Sequence, residues 1–172
     1  MKELLQRYCR QGDKAAFNSF YSQQVDRLWR FLVIRGCEQD RAYDLVAEAF
    51  LKFIQVVCKD LTSPIALLYR IAINLHIDSY RREQITPVVQ DAQVVEQAPD
   101  SLAGISDERE YVRALIKKLP ENEQNLLLLR YWIGLSHKEI AHEMKIPEGT
   151  IRRQCAEAVK NLRQLWERYN HE

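Results

Sequence analysis

The chain has 172 residues, 47% apolar and 28% charged, with only five glycines. That is enough for one ordinary domain or two small ones, too apolar for wholesale disorder, and poor in the β-branched runs that strands need. No run of about twenty apolar residues occurs, and the opening "MKELLQRYCRQGDK" lacks the apolar core of a signal peptide. A membrane span is excluded, and a cytoplasmic, all-α protein is expected.

The net charge of +1 conceals segregation. Residues 1–86 hold 13 Lys and Arg against 10 Asp and Glu, residues 87–110 hold 1 against 6, and residues 111–172 hold 11 against 8. Two mildly basic blocks flank an acidic strap.

From Asp13 to Arg35, Phe17, Phe20, Tyr21, Leu28, Phe31 and Leu32 recur at helical intervals, and Gly36 ends the pattern. A second helix is expected from Glu38 to Val57, with Ala42, Leu45, Val46, Ala49, Phe50 and Phe53 along one side. Ser63 and Pro64 form a start signal for a third, running to about Arg82. "QITPVVQDAQVVEQAPDSLAG" has two prolines, no Lys or Arg and no clear period, so it reads as a linker between two helical domains. Beyond it, Ser106 opens a helix, and Pro120 opens another that Gly134 ends.

"LSHKEIAHEMKIPEGTIRRQ" is a pair of short helices around a tight turn. Ser136 and Glu139 fit an S-x-x-E capping box, and Pro147 suits the first turn of the next helix. Helices joined by so few residues cross steeply, as in a helix-turn-helix. At about 100° per residue, Ile151, Cys155, Ala158, Leu162 and Leu165 share the core-facing stripe. Opposite lie Gly149, Arg153, Ala156 and Lys160, flanked by Arg152 and Glu157. Such a face either enters a major groove or is a solvated amphipathic surface. In the third helix Arg70, Asn74 and Asp78 fall at i, i+4 and i+8, extended by Arg81 and Arg82, on a helix otherwise apolar almost all round. That line fits single-stranded DNA, with Tyr69 or Tyr80 for stacking, or equally a solvated edge carrying an Asp78–Arg82 pair.

Cys9, Cys37, Cys58 and Cys155 lie far apart with no C-x-x-C pair, so core thiols are expected rather than a disulfide framework or a zinc site. His137 and His142 lack metal-ligand spacing and read as solvent-facing. No metal or cofactor is expected. No nucleophile elbow, phosphate loop or paired-carboxylate motif appears, so an enzyme is not expected.

Leu119 to Leu162 resembles the C-terminal domain of extracytoplasmic-function (ECF) sigma factors, which carry L-R-Y-x-x-G-L-S-x-x-E-I-A and I-P-x-G-T in the same order as "LRYWIGLSHKEIAHEMKIPEGTI". "RAYDLVAEAFLKF" is similar to the family's clamp-docking helix, and "PIALLYRIAINLHIDSYRRE" to its −10-melting helix. The resemblance implies an N-terminal domain over residues 1–84, a linker over 85–106 and a C-terminal domain over 107–172. It implies a promoter-specificity subunit that binds core RNA polymerase, at the clamp coiled coil and the flap region, and promoter DNA. It also implies an anti-sigma factor or other regulatory partner, and no membrane insertion. Asp44, Leu45, Glu48, Phe50, Leu51 and Phe53 would then meet the polymerase. Lys59, Asp60 and Ser63 would line the pocket for an extruded −10 base, beside Tyr69, Arg70, Asn74, Asp78, Tyr80, Arg81 and Arg82. Ser136, His137, Lys138, Glu148, Gly149, Thr150, Arg152, Arg153, Gln154, Glu157 and Lys160 would face the −35 element.

Several positions depart from the family pattern: Leu67 for Trp, Tyr43 and Ala47 in the clamp helix, Gln124 for Arg, Lys145 for the glycine of the turn, and Gln154 and Glu157 where Arg is common. Weak −35 recognition is therefore expected. An adaptor that brings polymerase to a site chosen by another factor, and a stand-alone helix-turn-helix regulator, remain alternatives. If the lost cations matter, Gln154→Arg with Glu157→Arg strengthens duplex binding and steepens the slope of its salt dependence by about one for each further phosphate neutralised. A fluorescence-anisotropy titration at several salt concentrations measures both, and an unchanged affinity rejects the idea.

Overall fold

The computed structural model describes residues 1–85 and 107–171. The expected linker, 85–106, lies outside the described residues except for Ile85, as does the expected capping residue Ser106. Eight helices occur among the described residues: α1 (Lys2–Gln11), α2 (Lys14–Ile34), α3 (Gln39–Val56), α4 (Pro64–Ile85), α5 (Asp107–Ile116), α6 (Glu121–Leu127), α7 (His137–Met144) and α8 (Glu148–Asn170). No strand occurs among those residues, as an all-α fold requires.

Their boundaries follow from local chemistry. Helix α1 adds to the expected elements; it is strongly two-sided, buries Leu5 completely, and ends at Gly12, whose φ of 66° suits a residue without a Cβ. Asp13 then caps α2, its carboxylate accepting from Ala16 N at 3.1 Å. Arg7 donates to the same carboxylate at 2.6 Å, and the capping bond and Arg7 together lower its pKa. A 3₁₀ turn over Val57–Lys59 follows α3. Asp60 then folds its side chain onto Thr62 N at 2.9 Å, the Asx turn that leads the chain into α4.

Helix α6 does not stop where an α-helix would. It widens into a π turn over Leu128–Ile133 and closes at Gly134, φ 89°. Leu129 O accepts from Gly134 N and again from Leu135 N, the latter at 2.9 Å, which ties down the end of the helix. Four consecutive leucines, Leu126 to Leu129, are all buried, Leu127 in one core cluster and the other three in another. A straight amphipathic helix would put at least one of them in water.

The core is continuous across the two helical blocks. Phe20, Leu28, Phe31, Leu45, Phe53, Leu68 and Tyr69 belong to the same buried cluster as Leu126, Leu128, Leu129, Leu135, Ile140, Ile151 and Cys155. A smaller cluster of Ile116, Leu119, Leu127 and Ala158 packs α5 and α6 on α8. Helix α4 touches α2, α3 and α7. Around the apolar seam, Arg35 donates to Asn125 Oδ1 and Gln124 Oε1, both at 2.6 Å, and Arg27 donates to Trp132 O at 3.3 Å.

The structure corrects the cysteine expectation. Cys9 and Cys58 are joined in a disulfide, α1 to the 3₁₀ turn, with Cα atoms 5.4 Å apart. Spacing along the chain has no means of bringing these two together, because it does not say where α1 packs. Cys37 and Cys155 are the core thiols that composition implies. Burial pushes Cys37 up to about 11 and raises Cys155.

His76 sits on α4 near Arg35, Glu83 and Glu121, and burial is the main cause of its pKa falling below the usual 6.5. A base with a depressed folded pKa is held neutral by the fold. The unfolded chain therefore takes up a proton that the native chain refuses, and stability falls as pH drops below about 6.5. Thermal unfolding between pH 5 and 8 is expected to show that slope, and His76→Gln is expected to flatten it.

Candidate nucleic-acid interface

The helix-turn-helix is built as its capping signals require. Ser136 Oγ accepts from Glu139 N at 3.0 Å while Glu139 Oε1 accepts from Ser136 N at 3.2 Å, a complete capping box. At the turn Lys145 takes the left-handed conformation, φ 55° and ψ 42°. Its N–H and that of Ile146 both return to Ala141 O. Pro147 stands just before α8 rather than inside it, at the N-cap.

Helix α8 turns Ile151, Cys155 and Ala158 into the core and leaves Gly149, Arg152, Arg153, Ala156, Glu157 and Lys160 exposed, as the periodicity implies. Glu148, Thr150 and Gln154 lie half-buried on its flank; His137 is half-buried and Lys138 exposed at the start of α7. Arg152 is shared with a neighbour: its guanidinium lies 2.7 Å from Glu148 one turn back. Arg153 and Lys160 carry the remaining positive charge of the face. The hydroxyl of Ser136 is engaged in its capping box, so contact with a ligand would compete with the helix start.

Gln124 lies elsewhere than a DNA face. It is 8% exposed, its Nε2 donates to Leu119 O at 2.6 Å and to Lys117 O at 3.2 Å, and its Oε1 accepts from Arg35. It closes the end of α5 and anchors the seam between the two blocks.

On the second face, the polar line of α4 is exposed at Asn74, Asp78, Tyr80, Arg81 and Arg82, with Arg70 half-buried at its head. Two expected members are not available. Tyr69 is fully buried, edge-on to Phe31 with ring centroids 5.0 Å apart, and burial raises its pKa. Ser63 is 4% exposed. Both point inward because the start of α4 is buried nearly all round, which leaves Tyr80, 55% exposed, as the stacking side chain. Lys59 and Asp60 are exposed.

The head of this line is occupied from within. Arg70 Nε lies 2.8 Å from Glu143 Oε1, and Asp60 Oδ2 lies 2.9 Å from His142 Nε2. Both partners belong to α7, the first helix of the hairpin. His142 is therefore solvent-facing, as its spacing implies, but it also makes a long-range contact that no local pattern could reveal. The Thr62 contacts, reinforced by His142, hold the Asp60 carboxyl at about 2. A cavity of about 490 Å³ opens beside these pairs, lined by Lys52, Lys59, Leu67, Arg70, Ile71 and Glu143 among others.

The third expected surface is α3. Asp44, Glu48 and Leu51 are exposed, Leu51 at 64%, and Tyr43 joins them at 62%, stacked on Trp29 with ring centroids 5.3 Å apart. Leu45, Phe50 and Phe53 are corrected: each is at most 4% exposed and serves the core. A partner can reach only the outward half of that helix.

An all-α chain ending in a capped helix-turn-helix, with a basic outer helix, is the class of protein that reads DNA. Residues 115–164 match the family model for region 4 of sigma-70. The RNA polymerase sigma-H factor of Pseudomonas aeruginosa is 30% identical over 167 residues, covering 88% of this chain and 86% of that protein. The ECF RNA polymerase sigma factor BldN of Streptomyces coelicolor is 28% identical over 173 residues, covering 96% of this chain and 65% of BldN. The sigma factor RpoE of Bartonella quintana, solved with the anti-sigma factor NepR, shares the fold with a TM-score of 0.64 at 18% identity, over 88% of this chain and 96% of that one. The chain belongs to the ECF sigma factors, the promoter-specificity subunits of bacterial RNA polymerase.

The turn residue gives a test of the hairpin. A non-glycine residue in the left-handed conformation costs roughly 1–2 kcal/mol, part of which glycine returns through a floppier unfolded chain. Lys145→Gly is expected to stabilise the protein by about 1 kcal/mol, a rise in Tm of about 2–4 °C in a chain of this size. Differential scanning calorimetry checks it.

Proposed function

We propose that this sigma subunit works in the cytoplasm with two DNA-reading surfaces, and that in the free chain α7 closes over the head of the −10 surface. The division is residues 1–84 for polymerase docking and −10 reading, 85–106 for the connection, and 107–172 for −35 reading. Asp44, Glu48 and Leu51, with Tyr43, form the exposed strip that meets the polymerase clamp. Lys59, Asp60, Arg70, Asn74, Asp78, Tyr80, Arg81 and Arg82 receive the −10 strand, guanidiniums on phosphates and Tyr80 on a base. The outer face of α8, chiefly Arg153 and Lys160, meets the −35 duplex. An anti-sigma factor is the expected inhibitor, as NepR is named for the Bartonella protein.

The observation that carries the closed reading is the double contact of α7 with the −10 surface, Glu143 on Arg70 and His142 on Asp60. Two side chains assigned to single-stranded DNA already have partners in the same molecule, so DNA must displace α7. The Glu148–Arg152 pair and Glu157 lower the positive charge of the recognition helix. That favours a second reading, an adaptor whose promoter choice is made by another factor. In that case transcription would be indifferent to the −35 sequence once the factor is present.

Two measurements test this. The purified chain is expected to co-elute stoichiometrically with core polymerase in gel filtration; separate elution rejects the subunit role. Removing the closing contacts with His142→Ala and Glu143→Ala is expected to raise affinity for core polymerase about threefold, since opening then costs less and each such pair is worth under about 1 kcal/mol. Titration of labelled core polymerase reads the change, and equal affinities mean that closure does not oppose binding.

A further inference from the structure

The disulfide stands one residue before the −10 loop. Cys58 is followed by Lys59 and Asp60, and Asp60 is the residue bound to His142 and to Thr62 N. Cys58 is exposed and Cys9 half-buried, whereas Cys37 and Cys155 are 7% and 2% exposed. The proximity of the pair does not depend on the bond. Helix α1 is held by Leu5, fully buried, and by Tyr8 against Phe17 with ring centroids 4.9 Å apart. It packs on α2 and on the 3₁₀ turn. When reduced, the two thiols therefore stay within reach of each other. In a thiol-rich compartment, a disulfide that is exposed and reversible serves as a sensor rather than as a staple.

We propose that Cys9 and Cys58 are a peroxide-oxidised modification site that holds the −10 loop in its closed arrangement and lowers sigma activity. One thiolate attacks hydrogen peroxide, the O–O bond breaks, and a sulfenic acid and hydroxide form. The second thiolate attacks the sulfenic sulfur and displaces another hydroxide; with the two thiol protons, two waters leave. Two electrons pass from the sulfurs to the peroxide, which is the only oxidant required. A cellular dithiol reverses the step by exchange. With the bond made, the chain entering Asp60 is pinned to α1, and Asp60 remains on His142 of α7. With the bond open, the loop is free to leave α7 and admit DNA. The effect on transcription rests on the proposed −10 role of this loop.

The test uses the full chain. Free thiols are mapped by alkylation and mass spectrometry after treatment with hydrogen peroxide and again after dithiothreitol. Loss and return of label at Cys9 and Cys58, with Cys37 and Cys155 unchanged, is the expected result; a pair that stays reduced in peroxide overturns the site. Amide exchange at residues 59–63 is expected to slow on oxidation. Holoenzyme made with each form is then assayed on a promoter that the reduced holoenzyme selects from a random pool. Oxidation is expected to cut transcription at least fivefold, with full recovery in dithiothreitol and no response in Cys9→Ser or Cys58→Ser. Equal transcription and equal exchange in the two forms overturn the switch. If even the reduced chain fails to bind polymerase, the sigma role proposed above fails instead, and thiol mapping with amide exchange decides the switch by itself.

Discussion

A helix that is apolar almost all round cannot face water, and α4 is such a helix. Its first three turns bury Ala66, Leu67, Leu68, Tyr69, Ala72 and Ile73, and α2, α3 and α7 all pack against it. Burial of apolar area stabilises at roughly 25 cal/mol per Å², so an α4 left half-covered would be costly in water. The packing of the hairpin against the N-terminal block follows from this, and so does the meeting of Arg70 with Glu143. Polar contacts at the rim orient a seam whose stability comes from its apolar middle. For the proposed sigma role the arrangement has a direct meaning: the head of the surface assigned to DNA, at Arg70 and Asp60, is the part that α7 occupies when DNA is absent.

Much of this is legible in the residues. Helical spacing locates α2, α3 and α4 within a few residues, the Ser136–Glu139 box places the start of α7, and the stripe from Ile151 to Ala158 assigns the faces of α8. What fails does so for a common reason. Motif position puts Ser63, Tyr69, Leu45, Phe50 and Phe53 on binding surfaces because it says which element a residue sits on, while burial depends on what packs around that element. The Cys9–Cys58 bond and the His142–Asp60 pair join residues 49 and 82 apart in the chain. No local period carries information over such separations.

The recognition helix shows how modest local changes shift a balance. Arg152 is shared with Glu148, and Glu157 stands among the cations, so the outer face of α8 is less positive than its arginines alone imply. For the proposed −35 role, a less positive face means fewer cations to set against phosphate. In the proposed role, the covered head of the −10 surface and the less positive outer helix act in the same direction, against binding of DNA by the chain on its own. A specificity subunit benefits from that, because duplex DNA is abundant and binding without polymerase would be unproductive.

The π turn after α6 has a consequence beyond helix geometry. The four buried leucines that run into it make one short segment a party wall: Leu127 faces the small cluster on α8, while Leu126, Leu128 and Leu129 face the large one. Neither cluster can loosen without moving a residue whose chain neighbour is locked in the other. The two are therefore coupled, and any separation of the blocks draws Leu126, Leu128, Leu129, Ile140 and Ile151 out of the core they share with Phe31, Leu68 and Tyr69.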